Sequence, residues 1–184
     1  YTVIHNRIMP QEERAFLSDP LNLLRLYEEA LRTGLLIHPD AMRLVQANLH
    51  LITDEVRTDP EAQRIFFDTL LKHGNPERAL RRMNELGVLS AFIPEFAPIV
   101  AMMQFNMYHH YTVDEHLIRS IGALTEIEAG RHADELPVAH EIMPMIRNRR
   151  ILYVALFLHD VAKGRPEDHS IAGAKVAMKV CPRL

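Results

Sequence analysis

The run LFLHDVAKG over residues 156–164 carries an imidazole and a carboxylate, His159 and Asp160, at the end of an apolar stretch. Burying such a pair is costly unless something compensates it. A divalent metal ion is one compensation, and a metal beside a phosphate does hydrolytic chemistry. A core His hydrogen-bonded to its own Asp is the other. His116, at the inward edge of a predicted helix beside Val113, Leu117 and Ser120, adds a third donor if that helix faces the one carrying His159. Two imidazoles and a carboxylate from two helices suit Mn²⁺, Zn²⁺ or Fe²⁺. Gly164 lets the chain turn directly after the pair, so that Arg165 and His169 can return over an ion and place positive charge where a phosphate would sit, a task that Lys163 fits as well. Lys163 would equally complement a helix C-terminus. His109 and His110 read as outer contacts or as surface residues, His110 as surface.

The elements that must position these residues are helices. Their starts share one form, an Asp, Asn or His cap followed by Pro. Asp19-Pro20 opens a helix over 21–32, closed by Gly34. His38-Pro39 opens one over about 41–56, with Val45, Leu49, Ile52 and Val56 on one face. Asp59-Pro60 opens a helix ending near Gly74, and Asn75-Pro76 opens another, stopped by Gly87. A short apolar turn over 88–92, then Pro94 and Pro98, marks the predicted boundary between residues 1–100 and 101–184. Thr112 can cap a helix reaching about 129, with 130–135 as loop and 138–146 as a helix interrupted by Pro144. Residues 148–162 are apolar around most of the helical circumference, which predicts a buried central helix. Asp168 or Ser170 can cap a last helix through 180. Only residues 1–4 show strand alternation, and residues 1–100 show no convergent polar cluster. The expected class is all-α.

The 184 residues carry a formal charge of −3, which provides no basic footprint for nucleic acid. With 48% hydrophobic residues the chain can build a core, and no run reaches the length of a membrane span. A lone cysteine, Cys181, excludes an internal disulfide framework and fits a reducing, cytoplasmic compartment. Both ends read as cut from a longer protein or truncated by disorder.

His116, the pair His159-Asp160 and the following Lys163-Gly164 and Asp168-His169-Ser170 together resemble the HD superfamily of metal-dependent phosphohydrolases. A closer resemblance rests on Met103-Gln104-Phe105, His109, YTVDEH at 111–116 and FLHDVAKG at 157–164. Asp19-Pro20-Leu21, Ile37-His38-Pro39, Met83, Gly87-Val88-Leu89 and Ile93-Pro94-Glu95-Phe96 extend it over nearly the whole chain. These segments are similar to the bifunctional PII uridylyltransferase/uridylyl-removing enzymes of bacterial nitrogen control.

That resemblance implies a helical connector over 1–100, after a nucleotidyltransferase domain outside this chain, and the front of an HD bundle over 101–184. It implies removal of UMP from a tyrosine of the PII signalling protein, by hydrolysis with Mg²⁺ or Mn²⁺, and glutamine sensing by ACT domains also outside the chain. His116, His159 and Asp160 match the family's metal ligands, and Lys163 and His169 its anion-facing groups. A final Asp ligand normally comes from a later helix, and Asp168 lies too near the pair to be taken as its substitute. The chain alone is therefore expected to be weak or inactive, and without a Gly-Ser/Asp-x-Asp signature it should not transfer uridylyl groups. Two alternatives keep part of this reading: an HD nucleotide phosphohydrolase, and a non-catalytic helical docking module with a metal-free pocket.

Overall fold

A computed structural model describes residues 1–103 and 110–184. Two strands, β1 (Thr2–Ile4) and β2 (Arg7–Met9), open the chain. Helices α1 (Glu13–Leu17) and α2 (Asn22–Thr33) follow, then β3 (Leu36–Ile37) and α3 (Pro39–Ala47). The first half ends with α4 (Asp54–Thr58), α5 (Pro60–Leu71), α6 (Pro76–Glu85), α7 (Val88–Phe92) and a 3₁₀ segment over Pro94–Ile99. The second half contains α8 (Val113–Glu128), α9 (Pro137–Ile142), α10 (Arg149–Leu158) and α11 (His169–Val180). The protein is mostly helical, as expected.

Three of the four Pro-led starts are built as the sequence predicts, those at His38-Pro39, Asp59-Pro60 and Asn75-Pro76; at Asp19-Pro20 the helix begins only at Asn22, with Leu21 at the cap position and no side-chain cap. The Asp59 carboxylate accepts from the Glu61 amide at 2.8 Å, and the Asn75 side chain accepts from the Arg78 amide at 3.3 Å. Each satisfies an amide that the first helical turn leaves without a partner. The predicted helix over 41–56 is broken in two. Asn48 leaves helical geometry and its side chain donates back to the Leu44 carbonyl at 2.8 Å, competing with the helix's own ladder. The apolar period survives the break, because Val45, Ile52 and Val56 are all buried.

The sheet is larger than the sequence suggests. β1 pairs antiparallel with β2, Val3 opposite Ile8, and β2 pairs parallel with β3, Ile8 opposite Ile37. His5 and Asn6 form the two-residue turn with φ of 48° and 59°. Positive φ at both positions is what such a hairpin needs. The parallel partner comes from residues 36–37, too short a stretch to show alternation.

One apolar core runs from Ile8 to Leu184 through both halves. At its centre Phe96 stacks on Phe157 with ring centroids 5.2 Å apart, and Phe66 lies 6.2 Å from Phe157 and 5.6 Å from Phe92. The helix expected over 148–162 is shorter and one-sided. α10 stops at Leu158, burying Tyr153, Phe157 and Leu158 and leaving Ile151 65% exposed. His159 and Asp160 thus sit in the turns after the helix.

The first half does hold a polar cluster. Glu28 of α2 meets His73 at 3.3 Å and Arg64 of α5 at 3.4 Å, and Asp68 pairs with Arg64 at 2.8 Å and Lys72 at 3.0 Å. Two cations already face these carboxylates, so the group is an ion-pair network joining α2 to α5. Arg64, Asp68 and Lys72 follow one another at four-residue spacing along α5 and its C-terminal cap, but nothing in the spacing reveals that Glu28 of α2 and His73 join them.

Glu95 fastens the last helix to the first half. Its carboxylate receives Arg183 at 2.6 Å and Lys179 at 3.5 Å. The Arg183 hydrogen bond holds the Glu95 carboxyl at about 2, against the opposing effect of burial. A folded-state pKa below the unfolded value contributes stability above the unfolded pKa and loses it as pH falls through the folded one. Glu95→Gln is expected to cost up to about 3 kcal/mol at pH 7. Urea unfolding of both proteins should show the difference shrinking from about pH 5 towards pH 2; a pH-independent difference would contradict the pairing.

Candidate metal centre

The run YTVDEH forms the start of α8, and three of its residues lock that start in place. The Val113 amide donates to the Met102 carbonyl at 2.9 Å. Asp114, buried, accepts from the Asn84 side chain of α6 at 2.8 Å and from the Ala101 amide at 3.0 Å. Burial pushes its carboxyl up, but hydrogen bonds from Thr112, Ala101 and Asn84 outweigh that and hold it below the usual carboxylate range. Ala101 has φ of 55°, an unusual value for a side-chain-bearing residue, and its amide is fixed by this carboxylate. Glu115 takes Arg81 of α6 at 2.6 Å, and Arg81 also reaches Glu77 at 2.7 Å. The helices cross so closely at Gly122 that a Cβ there would lie 1.9 Å from a Glu77 carboxylate oxygen.

With α8 anchored on α6, the next residue, His116, faces the end of α10. Its Nε2 is 3.3 Å from His159 Nε2 and 3.7 Å from Asp160 Oδ2, and His159 Nε2 is 3.6 Å from the same oxygen. A triangle with these edges has its centre about 2 Å from each corner, the length of a bond from nitrogen or oxygen to a first-row metal ion. His159 Nδ1 donates to the Leu156 carbonyl at 2.6 Å, since a carbonyl can only accept. The neutral ring then presents the lone pair of Nε2 to the triangle, the outer-contact arrangement found behind metal-bound histidines. The donor set fits a divalent ion. Two nitrogens favour Mn²⁺, Fe²⁺ or Zn²⁺ over Mg²⁺, which prefers oxygen.

Lys163 Nζ lies 2.7 Å from Asp160 Oδ2, the oxygen that faces both imidazoles. Asp160 is nearly buried while the two histidines are partly open to solvent. Gly164, at φ of 81°, ends the turn against Met102, whose side chain would lie 2.8 Å from a Cβ. A groove of about 620 Å³ between α10 and α11 runs to His159, walled by Ile151, Val154, Leu158 and Ala174 and edged by Ser170.

His116, His159 and Asp160 are thus together, with Lys163 on the carboxylate. His169 is outside that group: it is the first residue of α11, exposed, next to Ser170 on the groove's rim. Asp168 caps α11, its carboxylate accepting from the Ser170 and Ile171 amides at 2.9 and 3.2 Å. Arg165 and His110 are exposed. His109 and the Gln104-Phe105 part of its motif lie outside the described residues. Sequence reasoning missed Asp114, Glu115, Asn84 and Arg81. The acidic pair just before His116 was a signal, but its partners are thirty or more residues away.

No solved structure matches the chain significantly. Among curated proteins, a bifunctional uridylyltransferase/uridylyl-removing enzyme of Ruegeria pomeroyi is 67% identical over 184 residues, all of this chain and 20% of its own length. Proteins of the same description from Cereibacter sphaeroides and a Bradyrhizobium species are 64% and 54% identical, again over the whole chain and 20% of their own lengths. The chain therefore spans about a fifth of the length of the curated relatives it matches. No helix among the described residues is long and apolar enough to cross a membrane. The model of the uridylyltransferase GlnD third domain matches residues 1–92, half of the chain, and the protein belongs to that family.

Proposed function

We propose that this chain supplies the connector and the first part of the hydrolytic centre of a uridylyl-removing enzyme, the centre that cleaves the UMP–tyrosine phosphodiester of the PII protein. The observation that carries this reading is the donor triangle of His116, His159 and Asp160. The names of the relatives support a uridylyl group as what is removed, and the family resemblance supplies PII and its tyrosine. Residues 1–100 act as the connector, and 101–184 begin the hydrolase.

His116, His159 and Asp160 hold a divalent ion, with Mn²⁺ satisfying both the family resemblance and the donor set. Such an ion, when bound, supplies an acidified water and neutralises charge on the phosphodiester. The Leu156 carbonyl keeps His159 in the tautomer that offers Nε2. Lys163 holds the Asp160 carboxylate in register and adds positive charge beside it. His169, at the rim, meets the phosphoryl oxygens as the substrate enters. The Asp114 and Glu115 anchors fix His116 so that the triangle need not be assembled at each turnover.

The test is hydrolysis of uridylylated PII by the longer parent enzyme, after chelation and after Mn²⁺ is restored. Activity should vanish and return, and free nucleotides should be poor substrates. Full activity in the chelated protein, or faster cleavage of free nucleotides, would defeat the proposal.

A further inference from the structure

A second cavity, of about 340 Å³, lies far along the chain from the histidines, between the end of α2, β3 and the start of α6. Arg7, Arg78, Arg81 and Arg82 line it, against two carboxylates, Glu77 and Glu85. Arg81 is turned to Glu77 and Glu115, and Arg82 to Glu85 at 2.7 Å. The other two cations meet only backbone oxygen in the described contacts. Arg7 donates to the Ile37 carbonyl at 3.4 Å. Arg78 donates to the Ala30 carbonyl at 2.9 Å and more loosely to those of Gly34 and Leu35. The N-terminal turn of α6 also borders the cavity through Asn75, adding the positive end of a ten-residue helix.

A second, independent observation concerns Tyr27. It lines the same cavity, is 1% exposed, and its hydroxyl has no hydrogen-bond partner among the described residues. Buried hydroxyls are nearly always paired, and an unpaired one costs free energy. Burial pushes this phenol well above its ordinary pKa, so it remains a donor at any physiological pH. The cavity thus combines an unspent buried donor with surplus guanidinium charge.

We propose that this cavity binds a small phosphate-bearing anion, held by Arg7 and Arg78 with the Tyr27 hydroxyl as an additional donor. Guanidinium forks match phosphate oxygens in geometry and charge. The volume is at the small end for ligand pockets, which suits a compact anion over a protein segment. Inorganic pyrophosphate and a nucleotide monophosphate share this chemistry.

Calorimetric titration of the 184-residue chain with pyrophosphate and with UMP, without added metal, tests it. At least one probe should bind with Kd below about 1 mM, weakening as salt rises. The tighter probe identifies the source, inorganic or nucleotide. Arg7→Gln should weaken binding about tenfold, as for loss of one charge-assisted contact. Tyr27→Phe should weaken it by about fivefold to tenfold while leaving the melting temperature of the ligand-free protein unchanged or raised, because an unpaired buried hydroxyl is removed. Asp160→Asn should bind the better probe as the parent chain does. Absence of binding by both probes overturns the proposal. So does undiminished binding in Arg7→Gln and Tyr27→Phe, or binding lost only in Asp160→Asn.

Discussion

Asp160→Asn is expected to lower both Mn²⁺ affinity and uridylyl-removing turnover in the longer parent enzyme by more than about a hundredfold. Loss of a group that merely supports a ligand costs about 10–100-fold, and Asp160 would be a ligand, the only anionic one of the three. The side chain keeps its size, so packing around it is retained, but the oxygen that faces both imidazoles loses its charge. Lys163, 2.7 Å away, then faces an amide. That change is expected to cost the metal-free fold about 1–3 kcal/mol. The two effects are separable. Metal affinity is read by titration on protein that is fully folded by circular dichroism, and stability by urea unfolding without metal. A variant with reduced stability but intact Mn²⁺ affinity would show that Asp160 serves only as the partner of Lys163.

How much of this was legible in the sequence depends on the range of the contact involved. Helix starts at Asp59-Pro60 and Asn75-Pro76 follow local rules, and the side chains cap as the rules require. His159 and Asp160 stand out because an apolar run ends on them. Their partner His116 stands at the inward edge of a predicted helix, which fits a core histidine equally well, and only the resemblance marks it as a ligand. What stayed hidden is set by distant pairing. The parallel strand over Leu36–Ile37 exists only because Ile8 lies beside Ile37. The anchors of α8 need Asn84 and Arg81 from α6, and neither residue carries a mark of that task. The length of α10 was overestimated because hydropathy sees apolar residues on every side. The structure leaves Ile151 exposed and places the chemistry in the turn that follows.

That geometry makes Phe157 the residue on which fold and site depend together, and Phe157→Ala is expected to destabilise the protein by about 3–5 kcal/mol. The ring is 1% exposed, stacked on Phe96 at 5.2 Å with planes 2° apart and in edge contact with Phe66 at 6.2 Å. Both partners belong to the first half, so this ring is where α10 is seated on α5 and the 3₁₀ segment. Two residues later the chain delivers His159 to a triangle whose edges must stay near 3.5 Å to enclose an ion at bond length. A cavity the size of a phenyl ring lets the end of α10 settle, and a misplacement of about 1 Å in a catalytic group is enough to cost about a hundredfold in rate. Phe157→Leu, which fills most of the volume, should cost less in stability, about 1–2 kcal/mol, yet still loosen metal binding measurably. Urea unfolding and Mn²⁺ titration of the two variants should therefore fall in the same order. Unaltered Mn²⁺ affinity in folded Phe157→Ala would mean that His159 is positioned by its own turn, through the Leu156 carbonyl and Asp160, independently of the aromatic seat beneath it.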